Sequence, residues 1–481
     1  MLSTVANKEA VTMRLILHSL IVSLIVFLTT VLPVTAKQRP NILFLLADDQ
    51  RPDTIAALGN DRIETPNLDA LVRRGMTFPR ASCSYPICVI SRAEILTGMH
   101  GWQNGVDGLS SNKLHENVSL WPETLRQAGY QTWYVGKWHT RGRPSQLGFT
   151  AVNGLFSGGG GAWWRDGQTD WKGFPITGYR GWIFQTEDGT KKFPDRGVGL
   201  TADISSKFAD AAIELLKRPS ESPWYLHVSF TAPHDPLHMP SGYEGKYKAA
   251  EMPVPDNFLS QHPFDHGNFD GRDERLMHWP RTRAAVADVL RVYYSVIDDM
   301  DQQIGRILTA LEESGQAENT LIIFSSDHGM SVGSHGLRGK QNMYEHTINV
   351  PLVICGPGIP AGVKSGAQVY LRELYPTTCE LVGVDVPKQV TGRSFANVLH
   401  QQADSHHDSI FGYYRDTQRM IRTDRWKLVR YPVADRWQLF DLEMDPDELH
   451  NLADQTGHHD TFELLRQQLE TWRREMGDPA L

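Results

Sequence analysis

Cysteine is scarce in this chain, which limits how the fold can be held together. Four cysteines occur among 481 residues, at positions 83, 88, 355 and 379. Small secreted proteins built on disulfides use far more, so a hydrophobic core must stabilise this one. The sequence does not rank the possible pairings, and Cys88 could be a buried structural thiol or a disulfide partner of Cys83.

Positive charge is also in short supply. The chain has 48 Lys and Arg against 56 Asp and Glu, a formal net charge of −8. This balance argues against a broad basic surface for nucleic acid. If the substrate is an anion, the cations that bind it must be concentrated in one place.

Long apolar runs are absent apart from one at the N-terminus. Lys8 and Arg14 precede the apolar residues 15–32, and residues 34–36 (VTA) resemble a signal-peptidase cleavage site. We therefore predict a secretory signal peptide over residues 1–36. The mature protein is expected to be exported, periplasmic or secreted, and free of the membrane. The alternative is an uncleaved membrane anchor of roughly 20 residues.

Five short apolar runs predict the strands of a buried parallel sheet, because they are continuous rather than alternating. Segments with apolar residues at helical spacing lie between these runs, and the clearest covers residues 283–313. Alternating strands and helices predict an α/β fold with a large, mostly parallel sheet flanked by helices. The predicted strands are residues 41–47, 132–135, 224–230, 321–324 and 351–355.

The pattern changes near residue 385. Short antiparallel strands and a helix over 462–476 predict a small C-terminal α+β subdomain with a short antiparallel sheet. The predicted domains are thus 37–385 and 386–481. Residues 157–182, rich in Gly and Trp, are either a long surface loop or an insertion that faces the substrate.

Charged side chains follow four of the predicted strands. Asp48-Asp49 end the first strand, and Asp327-His328 end the fourth. Ligands of open α/β sheets bind beyond the carboxyl ends of the strands, so these side chains are expected to converge. Carboxylate oxygens suit a hard cation such as Ca²⁺ or Mg²⁺, and His328 would add a nitrogen. The alternative is a set of strand-end caps and surface ion pairs.

A second set of residues supplies positive charge and imidazoles. Each alone would be an ordinary surface cation or a hydrogen-bonded histidine. Around a metal ion they would form a pocket for a tetrahedral oxyanion. The set comprises Arg92, Lys137, His139, His234 and Lys340.

Cys88 precedes a helix predicted from about Ser91 to Leu96. A helix N-terminus lowers the pKa of a thiol and favours anions. A soft thiolate is nevertheless a poor partner for a hard metal ion, and an oxygen nucleophile would suit that ion better.

These residues resemble the formylglycine-dependent sulfatases of the alkaline-phosphatase-like superfamily. The nucleophile motif reads CVISRAEILTG over residues 88–98, and the other motifs fall in family order over almost the whole mature chain. They are RPNILFLLADDQRPD (39–53), ETPNLDALVRRGMTF (64–78), GKWH (136–139), FTAPHDP (230–236), SSDHG (325–329) and GKQNMYEHTINVPL (339–352).

The resemblance implies an alkaline-phosphatase-like fold and a sulfatase that hydrolyses sulfate esters, here expected to be those of sulfated carbohydrates. It implies that a formylglycine-generating enzyme oxidises Cys88 to formylglycine during maturation. The hydrated aldehyde would then attack sulfur through oxygen. It also implies one Ca²⁺ per chain, bound by Asp48, Asp49, Asp327, His328 and an oxygen of the modified Cys88.

The resemblance also implies roles for the cationic set. Arg92 and Lys137 would stabilise the aldehyde hydrate, and His139 would be the base that removes the proton of its second hydroxyl. His234 and Lys340 would bind the sulfate group and assist the leaving alcohol.

Two positions depart from the family pattern. His328 stands where asparagine is more common in the family. Histidine occurs at this position in a branch that includes iduronate-2-sulfatase-like proteins. Ile90 stands where the modifying enzymes usually require proline or alanine. Two further hypotheses remain open: a phosphate or phosphonate monoester hydrolase on the same fold, and a sulfated-glycan-binding protein whose Cys88 is never modified.

Overall fold

A nine-stranded mixed sheet forms the centre of the fold in a computed structural model that describes residues 39–480. The strand order is β10-β2-β9-β8-β1-β7-β4-β5-β6, and the central strands β8, β1, β7, β4 and β5 are mutually parallel. The strands are β1 (Asn41–Ala47), β2 (Met76–Thr77), β3 (Ala81–Ser82), β4 (Gln131–Lys137), β5 (Ala151–Ser157), β6 (Ile183–Gln185), β7 (Trp224–Ser229), β8 (Thr320–Ser326), β9 (Leu352–Cys355), β10 (Val363–Lys364), β11 (Val369–Tyr370), β12 (Ile410–Tyr414), β13 (Gln418–Arg422), β14 (Trp426–Tyr431) and β15 (Arg436–Asp441).

Helices cover both faces of the sheet, so two separate apolar clusters lie against it. The α-helices are α1 (Pro66–Arg74), α2 (Cys88–Thr97), α3 (Gly101–Asn104), α4 (Trp121–Gln127), α5 (Ile204–Leu216), α6 (Arg283–Glu313), α7 (Glu345–Ile348), α8 (Leu374–Leu381), α9 (Ala396–Leu399) and α10 (His459–Glu475).

The continuous apolar runs are strands buried on both faces, as predicted. All seven residues of β1 are buried, because β7 and β8 flank it and helices cover both of its faces. The prediction that residues 351–355 form a parallel strand was wrong, because β9 runs antiparallel to β8. The apolar pattern reports burial but carries no information on strand direction.

The long helix α6 agrees with its prediction. It starts after Thr282, whose hydroxyl accepts a hydrogen bond from the backbone N–H of Ala285, and its apolar residues face the core. Helix α2 differs from the prediction, since it begins at Cys88 rather than at about Ser91. Ile87 occupies its N-cap position without a side-chain cap, so the sequence carries no start signal there.

The C-terminal region carries the predicted antiparallel sheet, with strands in the order β12-β13-β14-β15. Helix α10 packs on this sheet through Leu465 and Leu469. The predicted signal peptide lies outside the described residues. Within residues 39–480, no helix is long and apolar enough to cross a membrane.

Candidate functional site

Four of the predicted metal ligands converge at the carboxyl ends of two neighbouring strands. Asp48 and Asp49 directly follow β1, and Asp327 and His328 directly follow β8. Ligand atoms of these four buried residues lie within 4.8 Å of one another. The central prediction of the sequence, that separate strand ends meet at one edge of the sheet, therefore holds.

Crowding of carboxylates strongly affects their ionisation. Burial raises the pKa of Asp49 well above its ordinary value, and the charges of Asp48 and Asp327 raise it further, against the effect of Lys340. Burial also acts to raise the pKa of Asp48, but Lys137 and other nearby cations hold it well below its ordinary value. Additional positive charge at this point would stabilise the ionised cluster.

Three cations predicted from the sequence contact these carboxylates directly. Lys137, the last residue of β4, lies with its Nζ 2.6 Å from Asp48 Oδ2. Lys340 Nζ lies 2.8 and 2.7 Å from the two carboxylate oxygens of Asp49. Arg92 Nε donates to Asp327 Oδ2 at 2.8 Å.

Two buried atoms of the cluster remain without a hydrogen-bond partner among the described residues. They are Asp48 Oδ1 and His328 Nε2. An unpaired polar atom in the interior costs free energy unless a ligand satisfies it. Together with the oxygen-rich donor set, these two atoms fit a bound hard cation.

Cys88 is the first residue of helix α2 and lies beside the cluster. Its Sγ, Asp48 and His328 form a second group whose ligand atoms lie within 4.8 Å of one another. Burial acts to raise the pKa of the Cys88 thiol, but Lys137, the neighbouring His328 and Lys340 lower it overall. All four cysteines are buried and unpaired, so no disulfide joins Cys83 to Cys88.

Two histidines complete the site. His139 Nδ1 lies 3.3 Å from Cys88 Sγ, and His234 Nε2 lies 2.8 Å from Lys340 Nζ. Burial lowers the pKa of both imidazoles well below the ordinary value, and the adjacent lysines lower it further. Both rings are therefore neutral near pH 7.

The site contains two side chains that the sequence did not single out. Tyr179 donates a hydrogen bond to Asp48 Oδ2 at 2.6 Å, and Ser229 accepts one from Arg92. Tyr179 and Trp182 end the Gly- and Trp-rich segment and line the same cavity as Cys88. The end of that segment thus faces this cavity, and a contact of the segment with substrate stays a prediction. In the sequence, only the aromatic content of the segment indicated that it could lie at the site. No pattern indicated Tyr179 itself.

Two family models match this chain. The family model described as sulfatase matches residues 40–384, and that described as N-sulphoglucosamine sulphohydrolase, C-terminal, matches residues 333–475. An arylsulfatase of Clostridium perfringens is 30% identical over 455 residues, covering 89% of this chain and 93% of that protein.

Two solved structures share the fold. One, in complex with its substrate D-glucosamine-2-N,6-O-disulfate, has a TM-score of 0.73 and 25% identity, covering 92% of this chain and 99% of its own. The other, a phosphonate monoester hydrolase of Agrobacterium radiobacter, has a TM-score of 0.74 and 22% identity, covering 91% of this chain and 96% of its own. At that identity the second similarity concerns the fold alone.

The fold and the grouping of residues at the strand ends thus define a protein of the alkaline-phosphatase-like superfamily. Within that superfamily, the chain belongs to the sulfatase family and is a sulfuric ester hydrolase.

Proposed function

We propose that this protein is an exported sulfatase that removes sulfate from sulfated carbohydrates at a Ca²⁺ site, using formylglycine derived from Cys88. The main supporting observation is that Cys88 lies within ligand distance of Asp48 and His328, where a thiol is a poor ligand for a hard cation. Formylglycine would supply the oxygen nucleophile that this position requires. The complex of a related structure with a sulfated glucosamine supports a carbohydrate substrate.

The proposed metal ligands are Asp48, Asp49, Asp327, His328 and the modified residue 88. Ca²⁺ would supply positive charge to the oxygens of the sulfate ester. Arg92 and Lys137 orient Asp327 and Asp48 through contacts of 2.8 and 2.6 Å. Against the effect of burial, Lys137 also lowers the pKa of Asp48. Arg92 and Lys137 have a second proposed role, since their positive charges beside residue 88 would also stabilise the modified group there.

His139 is the proposed base. Its Nδ1 faces the side chain of residue 88 at 3.3 Å, within reach of a proton on that residue. Because burial and Lys137 lower its pKa, the ring is neutral near pH 7 and can accept that proton.

His234 and Lys340 form the proposed acid side. The Nδ1–H of His234 donates a hydrogen bond to the carbonyl oxygen of Asp235 at 2.5 Å. Nε2 is then unprotonated and accepts a hydrogen bond from Lys340. Against the effect of burial, Asp49 raises the pKa of Lys340 above its ordinary value, so its ammonium supplies positive charge rather than a readily lost proton. The proposal is that His234 and Lys340 act as a pair that binds the sulfate group and assists the leaving alcohol.

Maturation is proposed to precede folding. Cys88 is 5% exposed and Ile90 is fully buried in helix α2, so a formylglycine-generating enzyme could not read this segment in the folded chain.

The division into domains 37–385 and 386–481 is also part of the proposal. The end of one family match at residue 384 supports it, whereas the second match, over residues 333–475, crosses this boundary.

We expect 4-nitrophenyl sulfate to be hydrolysed with a kcat/KM at least about tenfold above that for 4-nitrophenyl phosphate. Neutral His139 and His234 and the pairing of each lysine with a carboxylate favour the sulfate monoanion over the phosphate dianion. A phenylphosphonate monoester is also a monoanion, so its turnover is compared as the test of the second function. Steady-state kinetics on the purified protein with Ca²⁺ measure the ratio. Faster turnover of the phosphonate would favour the second function, which the fold of the phosphonate hydrolase also supports.

A further inference from the structure

The cavity above Cys88 has one wall from the C-terminal sheet. The cavity has a volume of about 410 Å³, within the range of about 300–1,000 Å³ that is usual for small ligands. Its lining includes Cys88, Tyr179, Lys340 and, from the turn between β12 and β13, Arg415. Two distant parts of the chain thus meet at one opening.

Arg415 has a backbone conformation that side chains disfavour. Its φ is +46°, in the left-handed region where glycine is the usual residue. Non-glycine residues in this region persist only when the surroundings hold them, and they cluster at functional sites. Position 415 therefore carries a long side chain in a conformation that costs free energy.

Contacts from both sides hold this turn in place. The backbone N–H of Arg415 donates to the Tyr85 hydroxyl at 3.2 Å, and its carbonyl accepts from Arg419. Arg419 is buried and paired with Asp478 at 2.6 Å. Tyr85 lies three residues before Cys88, so the same segment positions the reacting residue and the turn that carries Arg415.

The guanidinium of Arg415 is exposed and available. It lies over the Tyr414 ring at 5.2 Å, and no carboxylate within residues 39–480 forms an ion pair with it. Arg272 in the same cavity differs, because Asp235, at 2.9 Å, and Asp273 neutralise it. Arg275 and Asp270 also line the cavity and are exposed, and neither forms an ion pair within residues 39–480.

We propose that Arg415 binds a second anionic group on the saccharide whose sulfate ester reacts at residue 88. The substrate class would then be acidic or multiply sulfated sugars rather than sugars with a single sulfate. A guanidinium fork binds carboxylate or sulfate oxygens in pairs, so both groups fit. This inference rests on the proposed function and narrows its substrate.

Binding to the full chain carrying Cys88→Ala, which cannot turn the ligand over, tests the proposal by calorimetry. Three probes are compared: N-acetylglucosamine 6-O-sulfate, glucosamine 2-N,6-O-disulfate, and a sulfated disaccharide with a uronate. We expect Arg415→Ala to raise the Kd of one or both dianionic probes at least about tenfold, and that of the monosulfate less than about twofold. A rise in Kd confined to the uronate probe would identify a carboxylate as the second anionic group. A rise confined to the disulfate would identify a sulfate.

A matched control is available in the same sheet. Arg436 is exposed, lies over the Phe264 ring at 5.3 Å and is the first residue of β15, after a different turn from the one that carries Arg415. Arg436→Ala should therefore change the Kd of none of the three probes. Arg415→Lys should restore part of the affinity, because it keeps the charge without the fork. Arg415→Gly should lose the preference for dianions while its Tm stays equal or rises, since glycine accepts the positive φ.

Equal weakening of all three probes by Arg415→Ala, or no weakening, would overturn the proposal. A fall in Tm with Arg415→Gly, together with loss of all binding, would assign Arg415 a purely structural role. Hydrolysis by the unchanged chain is measured separately. Its absence would count against the proposed function without affecting these binding results.

Discussion

Replacing Cys88 with alanine is expected to abolish sulfate ester hydrolysis while leaving the fold intact. Loss of a covalent nucleophile lowers kcat by about 10⁴- to 10⁶-fold in well-studied hydrolases. The structural cost is small, because the change removes one sulfur atom at the start of helix α2, and we expect about 1 kcal/mol of destabilisation. Turnover of 4-nitrophenyl sulfate and a thermal melt measure the two effects.

Cys83→Ala is the matched control for this variant. Cys83 is also buried and lies five residues earlier, and its thiol donates to the Thr347 carbonyl at 3.9 Å. Burial raises the pKa of its thiol well above the ordinary value, so it is unreactive. Cys83→Ala should keep its activity. Full activity of Cys88→Ala would refute the assignment of the nucleophile.

Replacing Asp327 with asparagine is expected to remove the bound calcium. The amide keeps the shape of the carboxylate, but the site loses one of its three negative charges, and affinity for Ca²⁺ depends steeply on ligand charge. The Kd for Ca²⁺ should rise by at least about 100-fold. Metal analysis of the purified protein, followed by calcium titration after chelation, measures this change.

Asp301→Asn controls for the loss of a buried carboxylate elsewhere. Asp301 is also fully buried, but it accepts hydrogen bonds from the backbone N–H groups of Asn67 and Leu68 at the start of helix α1. We expect this variant to lose stability but to keep its calcium. Full calcium occupancy in Asp327→Asn would mean that the metal site lies elsewhere.

The sequence predicted the centre of the fold and the convergence of the site for the same reason. Buried parallel strands are continuous apolar runs, and their carboxyl ends meet at one edge of the sheet. Asp48 and Asp327 could therefore be expected to lie together although 279 positions separate them. Lys137 followed from the same argument, because it ends β4.

Other features depended on information that short patterns do not carry. The direction of β9 depends on how the chain connects to it, and the start of helix α2 lacks a capping residue. Tyr179 and Arg415 reach the site from an irregular segment and from a distant turn. Their positions are set by long-range contacts, so no local pattern could indicate them.

Whether residue 88 is formylglycine is the central question, because Ile90 stands at a position where the modifying enzymes usually require proline or alanine. Mass spectrometry of the tryptic peptide from Ala81 to Arg92, taken from protein expressed in its native host, answers it directly. We expect residue 88 to carry an aldehyde, in which oxygen has replaced the sulfur of Cys88 with loss of two hydrogens, or the hydrate of that aldehyde. An intact thiol at Cys88 would contradict the proposed mechanism and favour a protein that binds sulfated glycans without hydrolysing them.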